Sequence, residues 1–405
     1  DWLILAGFCV NAAVVPLHAW LPDAYPRASI TGAVFMCAFT TKTAVYVLCR
    51  GFAGWEVLAV GGTIMAVYGV LYACIENNAR RILSYHIVSQ VGYMVAGIGI
   101  GTAMTLNGAV AHAYAHILYK GLLFMGTGCI LMAAGTAKLD KLGGLVTRLP
   151  WVMVLYMIAA LSISGMPLFN GFISKTMTIA GAAEAHRTWL ALGLEIASVG
   201  TFISVGIKLP YFAFWGRKPT YTGKLNPIPA NMYVGMAITG LLCIAQGVYP
   251  DMLYRFLPFE MEHAYHPWTA WHVLQMSMLL GFSGLAFYFT RNIITPHAKL
   301  NLDFDWFYRL IGRAVMFFVC KPASWVDNKW TEAYRVVGLR GLIASAFSAA
   351  VFDRKAIDTV VDGSAYTVKG IGGLSAKVQN GRLQDYLGLA AVLALGVFVL
   401  VWYLA

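Results

Sequence analysis

Charge is what this sequence has least of. Asp, Glu, Lys and Arg make up 12% of its 405 residues, against about 25% in an ordinary soluble domain. With 59% hydrophobic residues and a mean hydropathy of +0.68, that scarcity excludes a soluble globular protein and implies an integral membrane protein. Strand-length segments of alternating polarity are lacking too, which excludes a β-barrel. Cysteine is sparse: Cys9, Cys37, Cys49, Cys74, Cys129, Cys243 and Cys320 include no C-x-x-C pair. Neither an iron–sulfur cluster nor a zinc site is supported, and the seven read as small apolar fillers. Glycine-rich dinucleotide and phosphate loops are missing. No cofactor is expected on this chain, so any redox or nucleotide chemistry belongs to another one.

What is present is a series of apolar runs about 20 residues long. Spans are expected near 1–21, 27–50, 54–75, 83–100, 103–134, 150–181, 187–214, 230–249, 267–289 and 384–404. The fold class is therefore all-α and polytopic, with about ten transmembrane helices. The net charge of +11 is explained by orientation rather than by an acidic or nucleic-acid partner. One set of loops holds Arg27, Arg80, Arg81, Lys138, Lys141, Arg148, Arg217, Lys218, Lys224, Arg291 and Lys299; the other holds Arg50, Arg187 and Arg255. Eleven against three places the first set in the cytoplasm. The chain begins at Asp1 with a span already under way. No signal peptide is expected, and an upstream part of a longer polypeptide is.

Two spans read as interrupted. The first contains "VVPLHAWLP", with Pro16 and Pro22; the sixth contains "ISGMPLFNGFISK", where Gly165, Pro167 and Gly171 do not suit one regular helix. Interrupted helices in corresponding places are a sign of a transporter built from repeats, with its site at the breaks. Residues 300–380 mix charges with Trp, Tyr and Phe at helical spacing, and no window there is expected to span. That segment suits a helix lying along the cytoplasmic surface. It precedes a final span, "YLGLAAVLALGVFVLVWYLA". The expected organisation is a transmembrane core over 1–299, a lateral amphipathic segment over 300–380 and an anchor over 381–405.

The run "AHAYAHILYKGLLF" carries His112, His116 and Lys120, four residues apart each time. On a helix that spacing keeps all three within an arc of roughly 80°. Lys42, Lys175, Glu195 and Lys208 also fall inside spans, and each charge at depth costs about 2.5–3.5 kcal/mol on insertion scales. One span absorbs such a cost, but without a task the charge is gratuitous. Desolvation makes an ammonium give up its proton more readily, and imidazole titrates near neutrality, so the set suits proton transfer. His86 lies among Ser84, Tyr85, Ser89 and Gln90, side chains suited to a file of water. Blander roles are open beside these: Lys208 snorkelling to the interface, Glu195 pairing with a lysine, the histidines packing. Metal binding by His112 and His116 has the spacing but no third ligand.

These residues also carry a likeness. "VVPLHAWLPDAYPRAS", "TTKTAVYVL", "RRILSYHIVSQVGYM", "HAYAHILYKGLLFMGTG", "LDKLGGL" and "SGMPLFNGFISK" resemble the antiporter-like subunits shared by respiratory complex I and the multisubunit Mrp-type Na⁺/H⁺ antiporters. The nearest flavour is the Mrp D-type subunit, while "FDRKAIDTVVDG" and "VQNGRLQDY" resemble the end of the distal antiporter-like subunit of complex I, with its lateral helix and last span. The resemblance implies that the chain starts at the family's seventh helix. It places the family's eighth-helix lysine on Lys42, its eleventh-helix histidines and lysine on His112, His116 and Lys120, and its twelfth-helix lysine on Lys175. Where the family's seventh helix carries a lysine just before "VVPLH", this sequence has Asn11, which carries no proton.

The expected function is ion translocation, of H⁺ alone or of Na⁺ against H⁺, by one subunit of a larger oxidoreductase or antiporter complex. The implied partners are other antiporter-like and small membrane subunits, in a bacterial or archaeal-type inner membrane. His112, His116 and Lys120 would form the central wire, Lys42 the inner partner and Lys175 the exit-side group, supported by His86, Glu195 and Lys208. Two rivals stand beside it: a scaffold whose ion path is dead, favoured by Asn11, and an inorganic-carbon or small-solute transporter subunit of the same fold.

Overall fold

A computed structural model describes residues 1–216, 221–261, 263–297 and 301–404. Arg217, Lys218 and Lys299 of the basic loops lie outside the described residues. Among those described, regular structure is helical, apart from one isolated bridge between Asn78 and Lys138. The chain divides into two units, residues 1–307 and 308–405.

In the first unit each expected span is a helix or a broken pair. The first is α1 (Trp2–Ala12) followed by α2 (Trp20–Arg27); the next three are α3 (Ile30–Gly51), α4 (Glu56–Ile75) and α5 (Ala79–Ile100). Then come α6 (Ala103–Ala134), the broken pair α7 (Pro150–Ser164) and α8 (Asn170–Glu184), and α9 (Thr188–Thr201), which runs on through π-helical turns at Phe202–Lys208 and Tyr211–Trp215. The unit closes with α10 (Ala230–Val248), the short α11 (Asp251–Tyr254) and α12 (Ala270–Thr290).

Local chemistry sets these boundaries. The Ser29 and Asn78 side chains accept from the first free amides of α3 and α5, and Thr102 and Thr105 form a reciprocal capping box on α6. Gly101, Gly135 and Gly165 end α5, α6 and α7 in the left-handed conformation that glycine adopts at no steric cost. Both interruptions lie where the prolines and glycines point. Ala13 has a φ of 60° at the end of α1, and Gly165 and Leu168 have φ of 80° and 79° between α7 and α8. In the first span the break sits at Pro16, whereas Pro22 is carried inside α2. A proline in a helix's first turn loses no hydrogen bond.

At the centre lies α5, in which every residue from Ala79 to Gly99 except Arg81 is buried. Ser84, His86, Ser89 and Gln90 make it less apolar than its neighbours, which a helix sheathed in protein tolerates. It packs on α4 backbone to backbone. A Cβ added at Gly92 would fall 2.5 Å from the Ala66 amide, and one at Gly62 would fall 2.3 Å from the Ala96 amide. Small residues permit this approach, as in many membrane helix pairs. Gly92→Val is therefore expected to destabilise the bundle by about 1–3 kcal/mol or more. Gly61→Val, at a site with nothing within 4 Å, should be tolerated. Thermal unfolding in detergent compares the two.

The second unit is different. Helices α13 (Asp305–Val315), α14 (Lys321–Ala333), α15 (Arg340–Phe352) and α16 (Asp358–Val378) join through π-helical turns into one helix of 74 residues, followed by α17 (Leu383–Leu404). None of the residues from 308 to 404 is buried. Eight helices among the described residues are long and apolar enough to cross a membrane, and α17 is the most apolar, with a window of mean hydropathy 2.5. The 74-residue helix is also one of the eight, with a window of mean hydropathy 1.5. That corrects the expectation that no window over 300–380 could span. The stretch "GLIASAFSAAVF" (341–352) is apolar throughout, and the charges that dominate the segment's average lie on either side of it.

Candidate functional site

The stripe on α6 points into the protein. His112, His116 and Lys120 have no solvent exposure. Around them stand α3 with Lys42, α5 with His86 and Gln90, and α8 with Lys175, all buried. Hydrogen bonds link several of these helices. His112 Nδ1 lies 3.0 Å from Ser174 Oγ, the residue before Lys175, and His112 Nε2 lies 3.3 Å from the Tyr119 hydroxyl. That hydroxyl donates to Gln90 Oε1 at 3.4 Å, Gln90 Nε2 donates to Thr201 Oγ1 at 3.3 Å, and His86 Nε2 sits 2.6 Å from Ser204 Oγ. Ser204 belongs to the π-helical stretch after α9, a distortion often found at functional sites.

The breaks supply acceptors to the lysines. Because α7 stops at Ser164, the Ile163 carbonyl lacks a helical partner, and Lys175 Nζ donates to it at 2.6 Å and to Ser198 Oγ at 3.4 Å. Lys42 Nζ donates to the Cys37 carbonyl at 2.8 Å and to Thr41 Oγ1 at 3.2 Å. Lys42 also lines a cavity of about 560 Å³ that reaches Arg50 and Phe259. Other buried groups near these lysines have no hydrogen-bond partner among the described residues: both nitrogens of His116, Lys120 Nζ, His86 Nδ1 and Ser89 Oγ. None of the salt bridges among the described residues reaches Lys42, Lys120 or Lys175. Burying a fixed, unpaired ammonium costs several kcal/mol, so a lysine at this position carries a cost that packing alone does not require.

The supporting residues divide. His86 joins the buried set. Glu195 is half-buried and pairs with Gln275, whose Nε2 donates to its carboxylate at 2.6 Å; among the described residues no lysine forms an ion pair with it. Lys208 does not snorkel. Its Nζ is buried and donates to the Cys74 carbonyl at 2.6 Å and the Glu76 carbonyl at 2.7 Å, so it caps the end of α4. Lys208→Met is accordingly expected to cost about 1.5–3 kcal/mol of stability. Flux per folded molecule should remain, as unfolding and transport assays on one preparation can check. Asn11 is half-buried in the last turn of α1, just before the break.

Residues not singled out from the sequence belong here as well. Tyr119, Ser174 and Ser198 bond the titratable groups, and the Tyr93 ring lies under Lys175 at 5.4 Å. Helical spacing alone would have put Tyr119 beside His112 and His116. His18 in the first break and Asp303 just before α13 form a separate buried pair, 3.2 Å apart.

Interrupted helices beside buried lysines and histidines define a class: polytopic membrane bundles with ionisable side chains at their core. A family model described as NADH:quinone oxidoreductase/Mrp antiporter, TM matches residues 1–204, just over half of the chain. The chain belongs to that family, and it is a multi-pass membrane protein. It is 36% identical over 247 residues to the D-type Na⁺/H⁺ antiporter subunit of Alkalihalophilus pseudofirmus, an alignment covering 58% of this chain and 48% of that protein. It is 30% identical over 274 residues to the N-type NADH-quinone oxidoreductase subunit of Desulforudis audaxviator, covering 62% and 54%. The fold resembles a chain of the Mrp complex from Dietzia sp. DQ12-45-1b, with a TM-score of 0.59 and 26% identity over 62% of this chain and 57% of that one. The chain spans about half the length of these curated relatives.

Proposed function

We propose that this chain translocates protons as one subunit of a larger membrane complex, along a path through Lys42, Lys120, His116, His112 and Lys175, with His86 beside it. The observation that carries this reading is the set of nitrogens on His116 and Lys120 that are fully buried with no hydrogen-bond partner among the described residues, in the same bundle core as two lysines that do have partners. A relay needs groups that hold and release a proton in turn, and internal water to bridge them. Removal of either end, as Lys42→Met or Lys175→Met, is expected to stop proton flux in vesicles containing the reconstituted complex while assembly persists. Flux that survives both changes would sink the reading.

Sidedness and partners belong to the same proposal. The basic loops face the cytoplasm, by the eleven-to-three distribution of Lys and Arg. The partners are other antiporter-like and small membrane subunits, as the Mrp and oxidoreductase names of the relatives suggest. The 74-residue helix, about 110 Å long at 1.5 Å per residue, leaves Trp325, Trp330, Phe347 and Tyr366 exposed. Such a surface fits contact with neighbouring subunits more than with water.

A further inference from the structure

The residues that open the tail helix are tied to the break in the first span by a cluster apart from the lysine–histidine path. Asp303 is 5% exposed. Its carboxylate accepts from the Tyr68 hydroxyl of α4, from the Tyr85 hydroxyl of α5 at 2.7 Å and from the Phe304 amide at 2.6 Å. His18, in the break between α1 and α2, has no solvent exposure. Its Nε2 stands 3.2 Å from Asp303 Oδ1, at ion-pair distance but without hydrogen-bond alignment, and its Nδ1 is buried without a partner among the described residues. Neighbouring residues bind the same way. The Tyr72 hydroxyl donates to the Leu302 carbonyl at 3.1 Å, Asn301 donates to Glu76 at 3.3 Å, and Asn77 donates to the His297 carbonyl at 2.6 Å. His297 and residues 301–303 thus contact α4, α5 and the broken helix, just ahead of α13.

We propose that His18 and Asp303 form a clamp set by protonation: Asp303 is a positioning residue that supplies a fixed anion, and a proton arriving on His18 draws the break onto the residues that open the tail helix. This goes beyond the proton-translocating reading and does not depend on it, since the clamp senses any proton that reaches the break. The charged and titratable groups around the pair are Tyr68 and Tyr72 on α4, Tyr85 and Arg81 on α5, Glu76 at the end of α4 and Asp23 on α2. Arg81 lies 3.5 Å from Glu76 and 3.7 Å from Asp23, so those two carboxylates already have a cation, and among the described residues the ion-pair contact of Asp303 is with His18. Burial opposes the charge on Asp303. The contacts from His18, Tyr68 and Tyr85 outweigh it and hold the carboxyl well below the usual carboxylate range. Asp303 therefore stays an anion near neutrality, the fixed partner in the pair.

Amide hydrogen exchange on the intact complex tests this, read as protection relative to the unfolded chain at about pH 6 and about pH 8. Residues 13–19 and 301–304 should gain protection together at the lower pH, by about tenfold for one charge-assisted contact. Asp303→Asn and His18→Gln should each erase the pH difference in both segments, and Asp303→Glu should retain it. If the pH difference persists in His18→Gln, or if Asp303→Asn loosens 301–304 and leaves the break unchanged, the clamp is refuted and Asp303 is only a loop anchor. Lys120→Met, run in parallel, separates the two ideas. The clamp requires its pH difference to survive without flux, and a complex with the clamp but no flux in the unmutated protein refutes the transport reading alone.

Discussion

Replacing Lys120 with methionine should abolish proton flux and yet leave the protein at least as stable as before. The two halves of that expectation come from the same fact. Lys120 Nζ is fully buried, has no hydrogen-bond partner and takes part in no salt bridge among the described residues. An unpaired buried charge opposes folding, and an apolar chain of similar length fills the same space without that cost. Thermal unfolding should therefore be unchanged or shifted upward. Flux should fall by about 100-fold or more, the scale on which losing a positioned proton carrier is felt. If Lys120 were kept for packing or for a hidden ion pair, methionine would lower stability and spare transport. The two measurements, made on one preparation, cannot both fit the wrong role.

The second large effect concerns the tail. A chain ending at Phe307 should fold its first unit normally, because none of the residues from 308 to 404 is buried. Recovery of the assembled complex should collapse, since the exposed Trp, Tyr and Phe of the long helix are surfaces without a function in an isolated chain. A chain ending at Asn301 should fare worse. It also loses Asp303 and with it the contacts to His18, Tyr68 and Tyr85. Size-exclusion chromatography of the solubilised complex and thermal unfolding of the subunit separate the two truncations. Normal complex recovery from the shorter loss would refute the role given to the tail.

Much of the architecture was legible because membranes enforce it. Apolar runs of span length, the proline and glycine interruptions at Pro16 and Gly165, and the four-residue spacing of His112, His116 and Lys120 are all local signals. They led to the broken pairs α1/α2 and α7/α8 and to a stripe that is fully buried. What spacing could not reveal was pairing across the bundle. Lys208 lies near the end of an apolar run, as a snorkelling lysine would, and only the packing of α9 on α4 turns it into a cap. Glu195 found an amide on α12 in place of a lysine. Asp303 read as one charge in a mixed surface segment, and nothing local marks it as the partner of His18 far upstream in the chain. The apolar stretch inside the tail helix was hidden by the same averaging: the charges on either side of 341–352 masked a window apolar enough to span.

The central claim is that Lys120 passes a proton on, and arginine at that position puts it to the sharpest test. Arginine keeps the positive charge and much of the stem but does not deprotonate in proteins. Proton flux should be measured in vesicles containing the reconstituted complex, with Lys120→Arg compared against the unmutated chain and Lys120→Met. The relay predicts that arginine fails almost as completely as methionine, with assembly intact in all three. Near-normal flux through the arginine variant would contradict it.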